Sequence, residues 1–322
     1  MQVSILTDPI PTGHHLLSEG VRRLKRRFRN NKSAQYRGHP GVTRSLVEGL
    51  MKIKANFNYN PVNLSQLAEN VIILSNVKTL HQAISLKQKG IIKKLYAGPN
   101  IVIYSSDCDS ILSSTEINYI ITPSKWVTDL YIKDNLSLKD RCITWPAGVN
   151  MDYWKYNGIT LRDKILIFDK QHIFDDPEIK SVIPVKLYVD YLTDMGWDVD
   201  ILRYGFFTHE EYLNKLQSAC LMIGFSLSES QGLAWAEAWS TDVPVMVLKN
   251  RINTYRKKRY SCSSAPYLSP HNGLFFDDIT DFKTKLYEWK ENRNQFTPRD
   301  WVSKNMSDEI CAMNLYNHTI NH

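Results

Sequence analysis

Short apolar runs alternate with helical patterns along this 322-residue chain, and the alternation starts afresh near its middle. Strands too apolar for one wet face, each followed by an amphipathic stretch, build parallel sheets through βαβ units, so the chain is restricted to α/β architecture. In the first half strands are read at Val3–Leu6, Ala55–Tyr59, Val71–Leu74, Ile101–Tyr104, Tyr119–Ile121 and Ile143–Trp145, with helices at roughly Thr43–Lys54 and Thr79–Gln88. The second half restarts with the strand Lys164–Phe168. Helix Val185–Met195, strand Asp198–Leu202, helix His209–Ser218, strand Leu221–Phe225, a helix from Leu233 and strand Val245–Leu248 follow.

Two such halves, joined near Asn150–Asp163, predict two facing Rossmann-like domains with an interdomain cleft at the carboxyl ends of mostly parallel strands, where ligands of such sheets bind. The boundaries expected are 1–155 and 156–298, followed by a helical tail, 299–322. The stretch Ile10–His39 is an irregular, basic insertion after the first strand.

An apolar share of 43% with 23% charged residues excludes a disordered chain. The five cysteines are scattered and form no C-x-x-C pair, which argues against a disulfide framework or zinc knuckle and for a reducing compartment. The N-terminus reads as a strand without a basic leader, and nowhere do about eighteen apolar residues run together, so a cytoplasmic protein is expected. Its net charge of +7 is concentrated in two blocks, Arg22–Arg29 and Arg251–Arg259. Within segment 16–29, Leu17, Val21, Leu24 and Phe28 stand against a dense cationic face. That pattern suits peripheral attachment to an anionic membrane or a solvated helix, with DNA phosphates ranking third.

The chemistry concentrates in Ser226–Ser240, SLSESQGLAWAEAWS. Glu229 sits among small polar residues in a loop, whereas Glu237 interrupts the apolar helix start Leu233–Trp239. A charge at Glu237 is costly unless a polar partner reaches it. Between them Gly232 lets backbone and ligand approach closely, and the helix that follows offers its first N–H groups to an anion. A loop carboxylate, an anion cradle and a helical carboxylate in that order suit a sugar, its diphosphate and a ribose.

This arrangement resembles the E-x7-E motif of retaining glycosyltransferases of the GT-B fold, family 4 in particular. Further segments carry the resemblance: Tyr204–Gly224 as glycine turn, helix and strand; Trp145–Trp154 as the interdomain P-x-G-V-N segment; Thr122–Trp126 as the P-S-x-W turn; Gly98–Asn100 and Pro298–Trp301 more weakly. The resemblance implies a hexosyl- or pentosyltransferase that takes a UDP-, GDP-, ADP- or TDP-sugar and passes the sugar, with retention, to a hydroxyl of a glycan or lipid-linked acceptor. It implies that Glu237 holds the ribose, Glu229 holds sugar hydroxyls, and the amides from Ser230 through Gln231 and Gly232 to Leu233 hold the diphosphate. Lys170, beyond the restarting strand, would offset charge on the leaving phosphate. The sequence departs from the family there, because Asp169 precedes Lys170 where an arginine is usual. Gly205 and Phe206 match the turn that seats the nucleobase, and one of Phe206 and Phe207 is expected in the core. Gly41, in Gly38–Thr43, matches a glycine-containing loop that closes over the phosphates. The tail would pack back toward the first domain. Neither cofactor nor metal is implied.

Two other readings stay open. Asp107-Cys-Asp109 resembles the D-x-D of metal-dependent GT-A transferases, which hold Mn²⁺ or Mg²⁺ on the donor diphosphate. In the GT-B reading Asp107 instead belongs to the acceptor site. A non-catalytic sugar- or nucleic-acid-binding protein on a degenerate transferase scaffold is the second, since fold does not fix function. His14, His15 and His39 lack any metal-binding spacing.

Overall fold

The structure, a computed structural model, describes residues 2–9, 38–171 and 183–321. Segment 16–29, with His14 and His15, lies outside the described residues. The chain divides into two compact units: Met1–Pro146 with Cys311–His322, and Ala147–Ile310.

The first unit is built on strands β1 (Val3–Leu6), β2 (Phe57–Tyr59), β3 (Asn70–Ser75), β4 (Lys94–Asn100), β5 (Tyr119–Thr122) and β6 (Cys142–Thr144). They form one sheet in the order β2-β1-β3-β4-β5-β6, and each neighbouring pair is parallel. Helices α1 (His39–Lys52), α2 (Val77–Gln88) and α3 (Lys125–Asp134) supply crossovers. Val71, Ile73, Leu95, Ala97 and Ile120 of the sheet pack with Leu80 and Ala83 of α2 and with Val127 and Tyr131 of α3. Burying these side chains stabilises the unit by roughly 1.5–3 kcal/mol for each large one.

β4 corrects the sequence reading, which placed a strand at Ile101–Tyr104. That segment is a turn with Ile103 exposed, and the strand lies just before it with Gly98 and Pro99 inside. Glycine and proline ordinarily punctuate strands, but here Gly98 is needed. Its φ is +120°, and a Cβ on it would stand 2.1 Å from the Ile121 carbonyl oxygen of β5.

α1 also begins earlier than expected, at His39. Pro40, at the helix start, has the preset φ and the missing N–H that a first turn tolerates. The carboxyl-terminal part of the last helix, α9 (Asp308–Asn321), packs on this sheet. Trp145 donates its indole N–H to the Cys311 carbonyl at 2.8 Å, and Asn70 donates to the Thr319 carbonyl at 2.9 Å.

The second unit holds β7 (Lys164–Lys170), β8 (Asp198–Arg203), β9 (Ala219–Ser226), β10 (Val245–Leu248) and β13 (Gly273–Phe276) in the order β13-β10-β9-β7-β8, again all parallel. Between β10 and β13 the antiparallel hairpin β11 (Ile252–Tyr255) and β12 (Lys258–Ser261) stands apart as its own two-stranded sheet. Helices α4 (Val185–Asp194), α5 (His209–Ser218), α6 (Leu233–Ser240), α7 (Ile279–Glu291) and α8 (Pro298–Asn305) complete the unit. One core layer packs Tyr188 and Leu192 of α4 and Phe282, Leu286 and Trp289 of α7 against Ile165, Ile167, Ile223, Phe225 and Phe276 of the sheet. Arg299 of α8 donates to the carbonyls of Met151, Trp154 and Ser240, tying the start of the unit to the end of α6.

Candidate active site

In the second unit the chain enters at β7, moves out to β8, then returns past β7 to β9 and onward. The strand order therefore reverses between β7 and β9, and in open α/β sheets the crevice at the carboxyl ends of such a pair is where ligands bind. Lys170 ends β7 and Ser226 ends β9, and the two are register partners. Glu229 lies three residues beyond β9.

The structure brings Lys170 and Glu229 together. The lysine Nζ lies 2.7 Å from each carboxylate oxygen, with the two side chains 16% and 7% exposed. Ser226 donates its hydroxyl to Glu229 Oε1 at 2.9 Å, and the Glu229 N–H donates to the Ser263 carbonyl at 2.8 Å. The lysine also sits 4.7 Å from the centre of the Tyr204 ring. A buried carboxylate is thus held by a cation, a hydroxyl and a fixed backbone, as burial of such a charge requires. Sequence reasoning did not anticipate the Lys170–Glu229 contact, nor the parts of Ser226 and Tyr204. Parallel pairing of two separated strands put them side by side, and no local pattern announces that.

Glu229 leads into Gly232, which is left-handed at φ +71° and caps α6 without a side chain. A Cβ there would meet Trp235 Cδ1 at 2.6 Å. Trp235 lies buried beneath this turn, donating its indole N–H to the Ser264 carbonyl at 3.0 Å. Ser230 is exposed and Leu233 half-buried. Gln231 is buried, accepting from the Ala147 N–H at 3.0 Å through Oε1, while its Nε2 has no hydrogen-bond partner.

Glu237, one turn further along α6, is half-buried. Its charge acts on two phenols. Burial pushes Tyr212 well above the ordinary phenol range, and the Glu237 charge adds to the effect. Tyr153 is raised by burial first, then by Glu210 and Glu237.

Gly205 follows β8 at φ +93° with open space where a side chain would stand. Beside it Phe206 is 85% exposed, while Phe207 is buried against Phe168 and Tyr212. One phenylalanine of the pair is therefore core.

In the first unit Gly41 is not in a loop: it is buried in the first turn of α1. Early helix initiation at Pro40 explains the difference. Asp107 opens a tight turn in which Cys108, Asp109 and Ser110 are all left-handed. Its Oδ2 accepts the N–H groups of Ile103 and Tyr104 at 3.2 and 3.1 Å. Among the described residues no group of three or more His, Cys, Asp or Glu is arranged to hold a metal ion, and no helix is long and apolar enough to cross a membrane.

No family model and no curated protein matches the sequence. Solved structures do match the fold. Sucrose-phosphate synthase from Thermosynechococcus elongatus aligns over 100% of this chain and 99% of its own at 10% identity, with a TM-score of 0.59. The lipopolysaccharide outer core galactosyltransferase WaaB, in its apo form, aligns over 100% and 99% at 10% identity and a TM-score of 0.56. The GtfA/B complex covers 80% of this chain and 59% of its own, at 14% identity and a TM-score of 0.54. The chain has the GT-B glycosyltransferase fold, with two α/β units each built on a parallel sheet.

Proposed function

We propose that the protein is a glycosyltransferase that moves a sugar from a nucleotide-sugar to an acceptor hydroxyl, with retention of anomeric configuration. The observation that carries this reading is the buried Lys170–Glu229 pair at the β7/β9 reversal, next to the side-chain-free start of α6. An ammonium has three N–H groups. One is directed at Glu229 Oε2, with Oε1 equally near, and a further one is assigned to a donor phosphate oxygen. Lys170 then counters charge on the departing diphosphate, a preorganised contribution realised most fully as the bond breaks. Glu229, fixed by Ser226 and the lysine, orients sugar hydroxyls.

The amides from Ser230 to Leu233 and the unpartnered Gln231 Nε2 suit the diphosphate, and Glu237 suits the ribose. Phe206, exposed beside the Gly205 turn, suits the nucleobase. In this account no protein nucleophile is needed: the leaving phosphate oxygen takes the acceptor's proton on the face of attack, and the residues position the reactants. Neither a metal nor a cofactor has a role, and the protein works in the cytoplasm, with segment 16–29 as its contact to an anionic membrane. Asp107, whose Oδ2 already serves two backbone amides, is assigned to the acceptor side and not to a metal.

The test is release of free nucleoside diphosphate from a panel of UDP-, GDP-, ADP- and TDP-sugars. Release that disappears in Glu229→Gln supports the reading. Tight nucleotide binding without release in the wild type would instead favour the non-catalytic binding protein, for which Asp169 in place of the usual arginine is the supporting observation.

A further inference from the structure

From Val243 to Phe276 the chain carries no Asp or Glu, while Lys249, Arg251, Arg256, Lys257, Lys258 and Arg259 are all cationic. The structure gathers most of this charge on one element, the β11–β12 hairpin. Its two-residue turn is Arg256-Lys257, with φ of 49° and 62°. Two left-handed central residues define the type I′ turn, which asparagine and glycine fill without strain and long side chains do not. Residues held in strained backbone cluster at ligand-binding and functional sites. Here both strained residues are exposed cations.

The hairpin is anchored to the candidate active site. Asn253 and Tyr260 face each other across the strands. Asn253 donates to the Ser228 hydroxyl at 3.1 Å and to the Tyr260 hydroxyl at 3.2 Å, and the Ser228 and Tyr260 hydroxyls lie 3.4 Å apart. Asn250, just before the hairpin, donates to the Leu227 carbonyl at 2.5 Å, and Ser263, just after it, accepts the Glu229 N–H at 2.8 Å. The ribbon is thus hydrogen-bonded at its base to Leu227, Ser228 and Glu229. On the face that carries Asn253 and Tyr260, the next pair toward the tip is Tyr255 and Lys258; Thr254 and Arg259 pair on the other face.

We propose that this ribbon is a docking element for double-stranded DNA. A single phosphate needs one or two cations. These run from Arg251 at the base to the tip, along strands about 13 Å long, and so match a ligand with charges in series. A two-stranded ribbon fits the major groove, about 12 Å wide, with cations at its tip and edges reaching phosphates on both sides. This deepens the transferase reading and rests on it in one respect: if the Glu229 loop handles the sugar, the acceptor is a hydroxyl on a modified base of the docked duplex, since unmodified DNA carries hydroxyls only at its strand ends.

The experiment is fluorescence anisotropy of the full chain with a duplex of about 20 base pairs over a range of salt concentrations, beside poly(glycerol phosphate) and phosphatidylserine vesicles at equal phosphate. The informative variant is Arg256→Asn with Lys257→Gly, which gives the turn its preferred residues while removing two cations. Vesicles are held by segment 16–29 in both proteins on the reading above, so the readout is what the variant loses. The variant should lose about tenfold or more in duplex affinity and its salt slope should fall by about two, with melting temperature unchanged or raised. A merely structural turn would raise stability and leave binding alone. Unchanged duplex binding in the variant, absence of duplex binding by the wild type, or a loss for either comparator as large as that for the duplex would each overturn the proposal. A nucleoside diphosphate thermal shift, measured on both proteins, tests the donor reading separately. Its absence would count against that reading and leave duplex docking standing.

Discussion

Replacing Lys170 by Met removes the cation from a carboxylate residue that is only 6% exposed, leaving the Ser226 hydroxyl on Oε1 and whatever else its site supplies. Breaking a buried pair from one side costs about 3–5 kcal/mol, because the remaining charge is stranded away from water. Both partners are under one-fifth exposed, so solvent screening does little to reduce this. For a unit the size of Ala147–Ile310, each kcal/mol is worth about 2–4 °C. The expected loss is therefore at least about 6 °C in the melting of that unit, followed by calorimetry. Adding Glu229→Gln to Lys170→Met should recover at least half of it, because the stranded charge disappears while the shape is kept. A double-mutant cycle then isolates the coupling, expected at about 2 kcal/mol or more. A coupling under about 0.5 kcal/mol would refute the reasoning. The pair would then behave like an exposed one, and the claim that the β7/β9 reversal holds a prepared charge pair would fail.

Glu237→Gln should leave melting within about 2 °C but weaken nucleotide binding by about tenfold or more, read by calorimetric titration, since a charged acceptor is lost from the helix face. Gly232→Ala should cost about 1–3 kcal/mol by thermal melt, because alanine at φ +71° is strained and its Cβ collides with Trp235, and it should abolish any nucleotide-induced stabilisation. Thiol labelling near pH 8 should modify exposed Cys108 first. Burial lifts Cys142 and Cys220 to about 11 and Cys262 to about 12, so they stay protonated there and react slowly until the pH approaches those values. Fast labelling of Cys262 in the native protein would contradict its placement.

In the second sheet β7, β8, β9 and β10 were legible, and His209–Ser218 and Val245–Leu248 fall where periodicity puts them, whereas β13 and α7 were not read. Thr208 and Glu211, which satisfy each other's backbone N–H groups in a capping box, explain the sharp start of α5. The first sheet was misread at β4 because its close packing against Ile121 requires a glycine inside a strand, where local rules predict a break. The β11–β12 hairpin was read only as a charge block. Its turn residues, Arg and Lys, are those that local propensity excludes from a type I′ turn, so no hairpin signal was present. At the site, Glu229, Gly232 and Glu237 stand out because a carboxylate in an apolar helix and a glycine at its start are local anomalies. Tyr204 and Ser226 do not stand out. Their importance comes from strand register, which brings residues more than twenty positions apart side by side.

The central claim is that Lys170 and Glu229 form the reacting end of a sugar-donor site. Its most direct test is nucleoside diphosphate release from the donor that most raises the melting temperature, compared among wild type, Lys170→Met and Glu229→Gln. The account predicts release by the wild type and a drop of about a hundredfold or more in each variant, as for loss of one preorganised stabilising group. Variants that release nucleoside diphosphate at the wild-type rate would contradict it.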